Sequence, residues 1–167
     1  FTESISPFMN IDYWLRYIVV DRAIHNSDGV MLWYTGDSWL ENHNYYFYED
    51  ENPDGKFWLI PWDLNATFFK TDPIFDDYDI PEWNETPDSC EPMRVWGDDT
   101  YAIPPNCDKL TNLTAAVYWN RFVSLGEQFL ERRFTPEMMK ERVDFWAKII
   151  EPMMKDDPFL EYEAWTS

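Results

Sequence analysis

The sequence predicts a mainly helical α+β fold, and three observations lead to this prediction. A segment near the N terminus and most of the C-terminal part repeat apolar residues with the spacing of an α-helix. Two short runs rich in aromatic residues flank a turn sequence, which is typical of a β-hairpin. The hydrophobic fraction of 45% over 167 residues is enough to form a buried core.

The first helix is predicted from residue 11 to about residue 26. Its apolar positions are Ile11, Trp14, Leu15, Ile18, Val19 and Ile24. Asn10 or Asp12 is expected to cap the helix start, because a short polar side chain can accept a hydrogen bond from a free backbone N–H there. The helix should end in the polar segment 25–29, which closes with Gly29. Residues 30–43 show no clear period and are predicted as a loop.

The two strands of the hairpin are predicted at residues 44–48 and 56–60. Between them, residues 52–55 read N-P-D-G, a strong turn sequence. The second strand is followed at once by P-W-D-L-N at 61–65. Antiparallel strands fold back on each other, so the start of the first strand and the end of the second lie side by side. Asn44 and Asp63 are therefore expected to meet.

Residues 70–109 are rich in proline, acidic residues and tryptophan, and a long irregular segment is predicted there. A structureless loop of this length is rare unless it is functional or tied down. Cys90 and Cys107 lie in this segment with 16 residues between them, so a disulfide is predicted. It would contribute about 3 kcal/mol through loop entropy. Two unpaired thiols are the alternative.

The C-terminal part is predicted as two helices. The first runs from residue 110 to about residue 134 and carries one broad apolar face. Thr135 and Pro136 mark the start of the second, as a side-chain cap and a proline at the first helical position. This helix is expected to run to about Lys155. All of these elements are interpreted as one domain, residues 1–167.

The net charge of −19 limits the possible partners. Nucleic acid is excluded, because phosphate binding requires a basic surface. An acidic protein suits metal ions or Lys/Arg-rich polypeptides. No apolar run reaches the roughly 18 residues that a membrane helix needs, so no membrane span is expected. The chain starts at Phe1 rather than at a methionine, and we interpret it as an excerpt from a longer protein.

Asp28, Asn44 and Asp63 form the candidate site. Asp28 follows a helix end, Asn44 begins the hairpin, and Asp63 follows its second strand. Converging carboxylate and amide oxygens suit a hard cation such as Mg²⁺. Protein kinases use the same order of parts: an aspartate that orients the substrate hydroxyl, a metal-binding asparagine, and a metal-binding aspartate after a hairpin. The match is in order and topology, since the chain contains neither H-R-D nor D-F-G.

These segments resemble the CotH kinase family. The resemblance rests on N-Y-Y-F-Y at 44–48, G-K-F at 55–57 and I-P-W-D-L-N-A-T-F at 60–68, beside the family's N-Y-Y-L-Y, G-K/R-F and I-P-W-D-x-D-x-T-F. The helix at 11–17 with N-S-D-G at 26–29 is similar to that family's helix and N-x-D-G loop. C-terminal W-N-R-F, F-T-P-E and I-E-P motifs also fit, so nearly the whole chain is covered. The resemblance implies an atypical protein-kinase-like large lobe whose β-hairpin carries the metal-site residues.

The family resemblance also implies an activity and roles for particular residues. It implies a secreted kinase that transfers the γ-phosphate of ATP to Ser or Thr of an extracellular or coat protein. The net charge of −19 makes a basic protein a suitable substrate. Asp28 would orient the attacking hydroxyl. Asp63 would be the main Mg²⁺ ligand and Asn44 the second, and both would thereby hold the nucleotide. Asn65 stands where the family often has a second metal-site aspartate. The small lobe is expected upstream of Phe1, so the chain alone is not expected to turn over ATP.

Three alternatives stay open, one for the site residues and two for the function. Asp37 and Asn42 have the five-residue offset of ordinary kinases and rival Asp28 and Asn44. A degenerate relative that acts as a surface adhesin, an invasin or a structural coat protein is the alternative function. The ten tryptophans also suit a sugar-binding module.

Three N-x-[ST] sequons bear on the location of the protein. They begin at Asn65, Asn84 and Asn112. Together with the cysteine pair they favour an oxidising, secretory setting, so a secreted or cell-surface glycoprotein is expected.

Overall fold

The structure, a computed structural model, describes residues 1–26, 28–36, 39–52, 55–68, 89–96 and 100–157. The described part contains α-helices and short antiparallel strands, so the α+β prediction is confirmed. The chain forms two compact units, Phe1–Gly126 and Glu127–Ser167. The prediction of one domain over residues 1–167 stays a prediction.

The N-terminal helices are α1, Thr2–Ile5, and α2, Ile11–Ala23. Asn10 rather than Asp12 caps α2, since its Oδ1 accepts a hydrogen bond of 3.1 Å from the Tyr13 backbone N–H. The helix prediction is confirmed, with an end slightly earlier than expected. The buried residues of α2 are Trp14, Leu15, Ile18, Val19 and Asp21.

A four-stranded antiparallel sheet corrects the loop predicted at residues 30–43. Strands β1, Trp33–Gly36, and β2, Trp39–Glu41, lie in that segment. The sheet also contains β5, Met93–Trp96, and β6, Thr100–Ile103, in the order β2-β1-β6-β5. Strands of three or four residues are too short to show a period. Their pairing with distant segments, such as β1 with β6, decides that they are strands.

The predicted hairpin is present. Strands β3, Tyr45–Glu49, and β4, Phe57–Pro61, pair antiparallel over their full length, from Tyr45 opposite Pro61 to Glu49 opposite Phe57. At the turn, a Cβ on Gly55 would lie 1.9 Å from the Asp50 carbonyl oxygen, so this position accepts only glycine. The central turn residues 53 and 54 lie outside the described residues.

Helix α2 is tied to the hairpin by hydrogen bonds and ring contacts. The Tyr13 hydroxyl donates to the Leu59 carbonyl oxygen at 2.5 Å, and the Tyr13 ring packs edge-on against Trp58 at 4.8 Å. The Phe57 backbone N–H donates to the Phe8 carbonyl oxygen at 2.8 Å. The start of α2 and strand β4 are therefore held together.

The predicted irregular segment 70–109 is corrected in its second part. Besides β5 and β6 it contains a short 3₁₀ helix, Pro105–Cys107. The first part, through residue 88, lies outside the described residues. The Cys90–Cys107 disulfide is present with a Cα–Cα distance of 5.8 Å, so the predicted pairing is confirmed and the free-thiol alternative is wrong.

Two long helices follow, as predicted. They are α3, Lys109–Arg132, and α4, Pro136–Lys155. The Thr135 side chain caps α4 by accepting a hydrogen bond of 3.3 Å from the Met138 backbone N–H. Pro136 occupies the first helical turn, as expected. No helix within the described residues is both long and apolar enough to cross a membrane.

Candidate active site

Asp28 lies in the turn after α2, and three side chains hold its carboxylate. The Tyr34 hydroxyl donates to Oδ1 at 2.9 Å, and the His43 Nε2 atom lies 2.7 Å from the same oxygen. The Asn44 amide donates to Oδ2 at 2.8 Å. Hydrogen bonds to a charged acceptor are stronger than those between neutral groups, so the direction of this carboxylate is well defined.

The carboxylate of Asp28 is held by hydrogen bonds but remains accessible to solvent. Its side chain is 23% exposed, and that of His43 is 40% exposed. A carboxylate oxygen accepts more than one hydrogen bond, so the fixed group can still accept one from a hydroxyl that approaches from outside. This is the arrangement that a general base or an orienting group requires.

Asn44 connects Asp28 to the hairpin. Its Nδ2 donates both to Asp28 Oδ2 and to the Asp28 carbonyl oxygen, each at 2.8 Å. Its own carbonyl oxygen accepts a hydrogen bond of 3.0 Å from the Trp62 backbone N–H. The residue is buried and has a φ of 63°, a conformation that asparagine tolerates better than most residues. No hydrogen bond reaches its Oδ1 from any described residue.

Asp63 directly follows Trp62, whose backbone N–H donates a hydrogen bond to Asn44. It is exposed and has a φ of 51°. Within the part of the chain that the structure describes, its carboxylate accepts no hydrogen bond. The preceding Trp62 ring stacks on Tyr46 with centroids 5.9 Å apart, which supports the backbone just before Asp63. Asp63 thus presents a free carboxylate beside the base of the hairpin.

The structure therefore brings Asp28 and Asn44 into direct contact, and the Trp62 hydrogen bond brings the backbone before Asp63 to Asn44. Asn65 lies in an exposed turn two residues after Asp63. That Asn44, Asp63 and Asn65 share one cation stays a prediction. Among the described residues, no cluster of three or more His, Cys, Asp or Glu side chains is arranged to hold a metal ion.

The donor atoms at this site fit Mg²⁺ on chemical grounds. Because the amide nitrogen of Asn44 is directed at Asp28, the oxygen is the atom of that amide left for a cation. The free carboxylate of Asp63 is the second such oxygen group. Mg²⁺ takes one or two carboxylates and keeps several waters, so a small protein donor set of this kind is sufficient.

The rival pair is only partly within the described residues. Asn42 donates from Nδ2 to the Val30 carbonyl oxygen at 2.8 Å and accepts from the Tyr45 hydroxyl at 2.5 Å. Both ends of its amide thus have hydrogen-bond partners, one a backbone carbonyl and the other a side-chain hydroxyl. Asp37 lies outside the described residues. The choice between this pair and Asp28 with Asn44 stays a prediction.

Two residues of the site were not found from the sequence. His43 and Tyr34 both contact Asp28, and their rings stack with centroids 4.8 Å apart and an angle of 17° between the planes. Tyr34 was missed because β1 was predicted as a loop. His43 could have been suspected from the sequence because it directly precedes the candidate residue Asn44.

A buried polar network connects the last turn of α2 to the backbone of Asp28. Asp21, in the last turn of α2, is 2% exposed, and its Oδ2 accepts from the Arg22 guanidinium at 2.7 Å. Its Oδ1 accepts from the Asn26 amide at 2.8 Å and from the Tyr17 hydroxyl at 3.3 Å. Burial, and then the negative charge of Asp21, raise the pKa of Tyr17 well above its usual value.

The fold and this site define a class of protein. It is an α+β protein in which Asn44, at the start of a hairpin, donates a hydrogen bond to the carboxylate of Asp28, in the turn after a helix. The family model described as CotH kinase protein matches residues 1–165. The chain therefore belongs to the CotH kinase family, and the resemblance seen in its motifs is confirmed. No curated protein and no solved structure matches the chain.

Proposed function

We propose that this chain is the catalytic-lobe part of an atypical protein kinase that transfers the γ-phosphate of ATP to Ser or Thr. The observation that supports it most is the contact between Asp28 and Asn44, in which one amide grips both the carboxylate and the backbone oxygen of the aspartate. Family membership supports the same activity. In this proposal the described helices and hairpin belong to a kinase-like large lobe.

Each of the three residues has a separate task in the proposed reaction. Asp28 accepts a hydrogen bond from the substrate hydroxyl and aims it at the γ-phosphorus. Asn44 and Asp63 hold Mg²⁺, and Asn65 is a weaker candidate ligand. When bound, Mg²⁺ supplies positive charge that neutralises the phosphate oxygens. Catalysis then rests on positioning and electrostatics, as in other phosphoryl transfers.

The chemistry balances without a further reactant. The hydroxyl oxygen forms a bond to the γ-phosphorus of ATP, and the bond from that phosphorus to the bridging oxygen breaks. ADP leaves with the electron pair of that bond. The hydroxyl proton departs towards Asp28 and then to solvent, which the 23% exposure of this side chain permits.

The substrate in this proposal is a Lys/Arg-rich extracellular or coat protein, met after secretion or at the cell surface. The charge of −19 favours association with a cationic polypeptide. The Cys90–Cys107 disulfide supports an oxidising location. Of the three sequons, Asn65 is exposed, while Asn84 lies outside the described residues. The third has its Thr114 buried inside α3, which disfavours glycosylation at Asn112.

The test is phosphate transfer from γ-labelled ATP to a basic acceptor protein by the full-length protein that contains this chain. We expect Asp28→Ala and Asp63→Ala each to reduce the rate by at least about 100-fold. Glu141→Ala is the matched control, because it removes one exposed carboxylate from α4, a helix that supplies none of the candidate site residues. Equal rates for Asp63→Ala and the control would exclude the proposed function.

A non-catalytic surface protein, such as an adhesin, invasin or coat component, is the second candidate. It is favoured by Asn65, a neutral residue in place of a second metal-site aspartate, and by exposed aromatic side chains on the hairpin. These are Tyr46, Phe47, Tyr48 and Phe57. Exposed apolar surface is typical of interaction sites. Partner binding that survives Asp63→Ala, in a protein that uses no ATP, would support this candidate instead.

A further inference from the structure

We propose that Asp21 and Asn26 are positioning residues for Asp28, and that they hold its backbone while Tyr34, His43 and Asn44 hold its carboxylate. The catalytic consequence of this inference rests on the proposed kinase function. The structural part stands independently of it. Neither residue touches the reacting groups, so both act through Asp28.

Asp21 provides the fixed end of this arrangement. A carboxylate that is 2% exposed loses its hydration and is tolerated only when its oxygens find other partners. Arg22 approaches Oδ2 with two nitrogen atoms, Nη2 at 2.7 Å and Nε at 3.2 Å. The Tyr17 hydroxyl and the Asn26 amide donate hydrogen bonds to Oδ1. Asp21, Arg22 and Tyr17 all belong to α2, so this end is as rigid as the helix.

Asn26 carries the connection from the helix to Asp28. It is 1% exposed, and every one of its polar groups is bonded. Its Nδ2 donates to Asp21 Oδ1 at 2.8 Å, and its Oδ1 accepts from the Asp28 backbone N–H at 3.2 Å. Its backbone N–H donates to the Asp21 carbonyl oxygen at 3.0 Å, and its carbonyl oxygen accepts from Arg22 Nη2 at 2.7 Å. One side chain thus links the last turn of α2 to the backbone of Asp28.

Gly29 shows how closely the parts of this network approach. A Cβ at this position would lie 2.3 Å from Asn26 Nδ2 and 3.0 Å from Asp21 Oδ1. The first distance is far inside van der Waals contact, so alanine at position 29 would displace the Asn26 amide. Glycine is required here by this close approach. Gly29→Ala therefore disturbs the network without removing any of its polar groups.

The contacts to the Asp28 carboxylate and the contact to its backbone have different roles. The side chains of Tyr34, His43 and Asn44 orient the carboxylate, while Asn26 sets the place from which that carboxylate starts. A displacement of about 1 Å in a reacting group can cost on the order of 100-fold in rate. Residues that orient metal ligands through hydrogen bonds typically contribute about 10- to 100-fold to metal affinity or activity, and an effect of the same size is expected for a residue that orients Asp28. We therefore expect a loosened Asn26 to reduce catalysis without affecting nucleotide binding.

The experiment uses Asn26→Asp and Gly29→Ala in the full-length protein. Asn26→Asp keeps the size of the side chain but sets an oxygen against Asp21 Oδ1 in place of the donor. We expect kcat to fall about 10- to 100-fold in both variants, with KM for ATP changed less than about threefold. We also expect faster hydrogen exchange of the backbone amides of residues 28–32, measured by mass spectrometry at a temperature where the protein is folded.

Ile18→Val is the control for a loss of stability alone. Ile18 is fully buried on α2, one turn before Asp21, and the change removes one methylene without removing a polar group. It should lower the melting temperature while kcat stays within about twofold of the native protein. If Asn26→Asp reduces kcat no more than Ile18→Val does, the positioning role is wrong and the network only stabilises the fold.

Failure of this inference is distinguishable from failure of the proposed function. If the native protein transfers no phosphate, the kinase proposal falls, and hydrogen exchange alone decides whether Asn26 holds Asp28. Unchanged exchange at residues 28–32 in both variants would overturn the inference in either case. A fall in kcat accompanied by faster exchange at these residues supports it.

Discussion

At the scale of single residues, two of the candidate metal ligands adopt a backbone conformation that most residues avoid. Asn44 has a φ of 63° and Asp63 a φ of 51°. A non-glycine residue in this region costs on the order of 1 kcal/mol, and less for Asn and Asp than for others. Asp63 gains no hydrogen bond from the described residues in return. Such a cost is expected where a side chain is kept for function rather than for stability.

Asp63→Gly should therefore be more stable than Asp63→Ala, while both remove the carboxylate that the proposed phosphate transfer needs. Glycine adopts a positive φ without penalty, and the lost carboxylate has no intramolecular hydrogen bond to remove. We expect the free energy of unfolding without metal to exceed that of Asp63→Ala by about 0.5–1 kcal/mol. Asp63→Ala is the matched control, because it removes the same carboxylate but keeps the strained backbone. An Asp63→Gly variant less stable than Asp63→Ala would show that the backbone here is not strained.

Tyr17 gives a prediction for alkaline pH. Burial and the charge of Asp21 raise the pKa of Tyr17 in the folded state, so the unfolded chain loses this proton first, near the ordinary value of 10.0. The stabilising contribution of neutral Tyr17 is full below that pH and is lost as the pH rises towards the folded-state pKa. In Tyr17→Phe, the melting temperature should fall less steeply between about pH 9.5 and 11 than in the native protein. Parallel curves for the two proteins would contradict the raised pKa.

At the scale of elements, the sequence predicts those that are local and misses those that depend on distant pairing. Helix α2 and the β3–β4 hairpin carry their own signals, namely apolar spacing, a capping asparagine and a turn that requires Gly55. The sheet order β2-β1-β6-β5 has no such local signal, because β1 pairs with a strand on the far side of an acidic, proline-rich segment.

The same division explains how much of the candidate site was found. Asp28, Asn44 and Asp63 were predicted because each stands beside a local element end. Tyr34 contacts Asp28 from β1, and this strand was not predicted. The link through Asn26 was missed because burial of a polar pair inside a helix end leaves no periodic pattern in the sequence.

The Cys90–Cys107 disulfide closes the segment that contains β5 and β6. The two residues are 17 apart in sequence, and a loop of this length gives about 3 kcal/mol of stabilisation in the chain-entropy model. We expect the double variant Cys90→Ser, Cys107→Ser to be less stable by about that amount, measured by chemical denaturation. Reductant should lower the stability of the native protein to that of the variant and leave the variant unchanged. A native protein insensitive to full reduction would contradict this role.

At the scale of the whole molecule, 32 acidic residues against 13 basic ones produce strong self-repulsion. Salt screens interactions between exposed charges, with a Debye length of about 10 Å at 0.1 M, so added NaCl should stabilise the folded protein. The same field attracts cations in general. A test for a specific magnesium site must therefore separate site binding from the general attraction of cations to the acidic surface.

Magnesium should stabilise the native protein more than NaCl at equal ionic strength. A ligand that binds only the folded state adds about 1.4 kcal/mol at ten times its dissociation constant, whereas screening acts alike for both salts. We expect the melting temperature in MgCl₂ to exceed that in ionic-strength-matched NaCl, and the excess to disappear in Asp63→Ala. Glu141→Ala removes an exposed carboxylate of equal charge from α4 and should keep the excess in full. An excess that survives in Asp63→Ala would mean that Mg²⁺ binds the acidic surface elsewhere, and the assignment of Asp63 as its main ligand would be wrong.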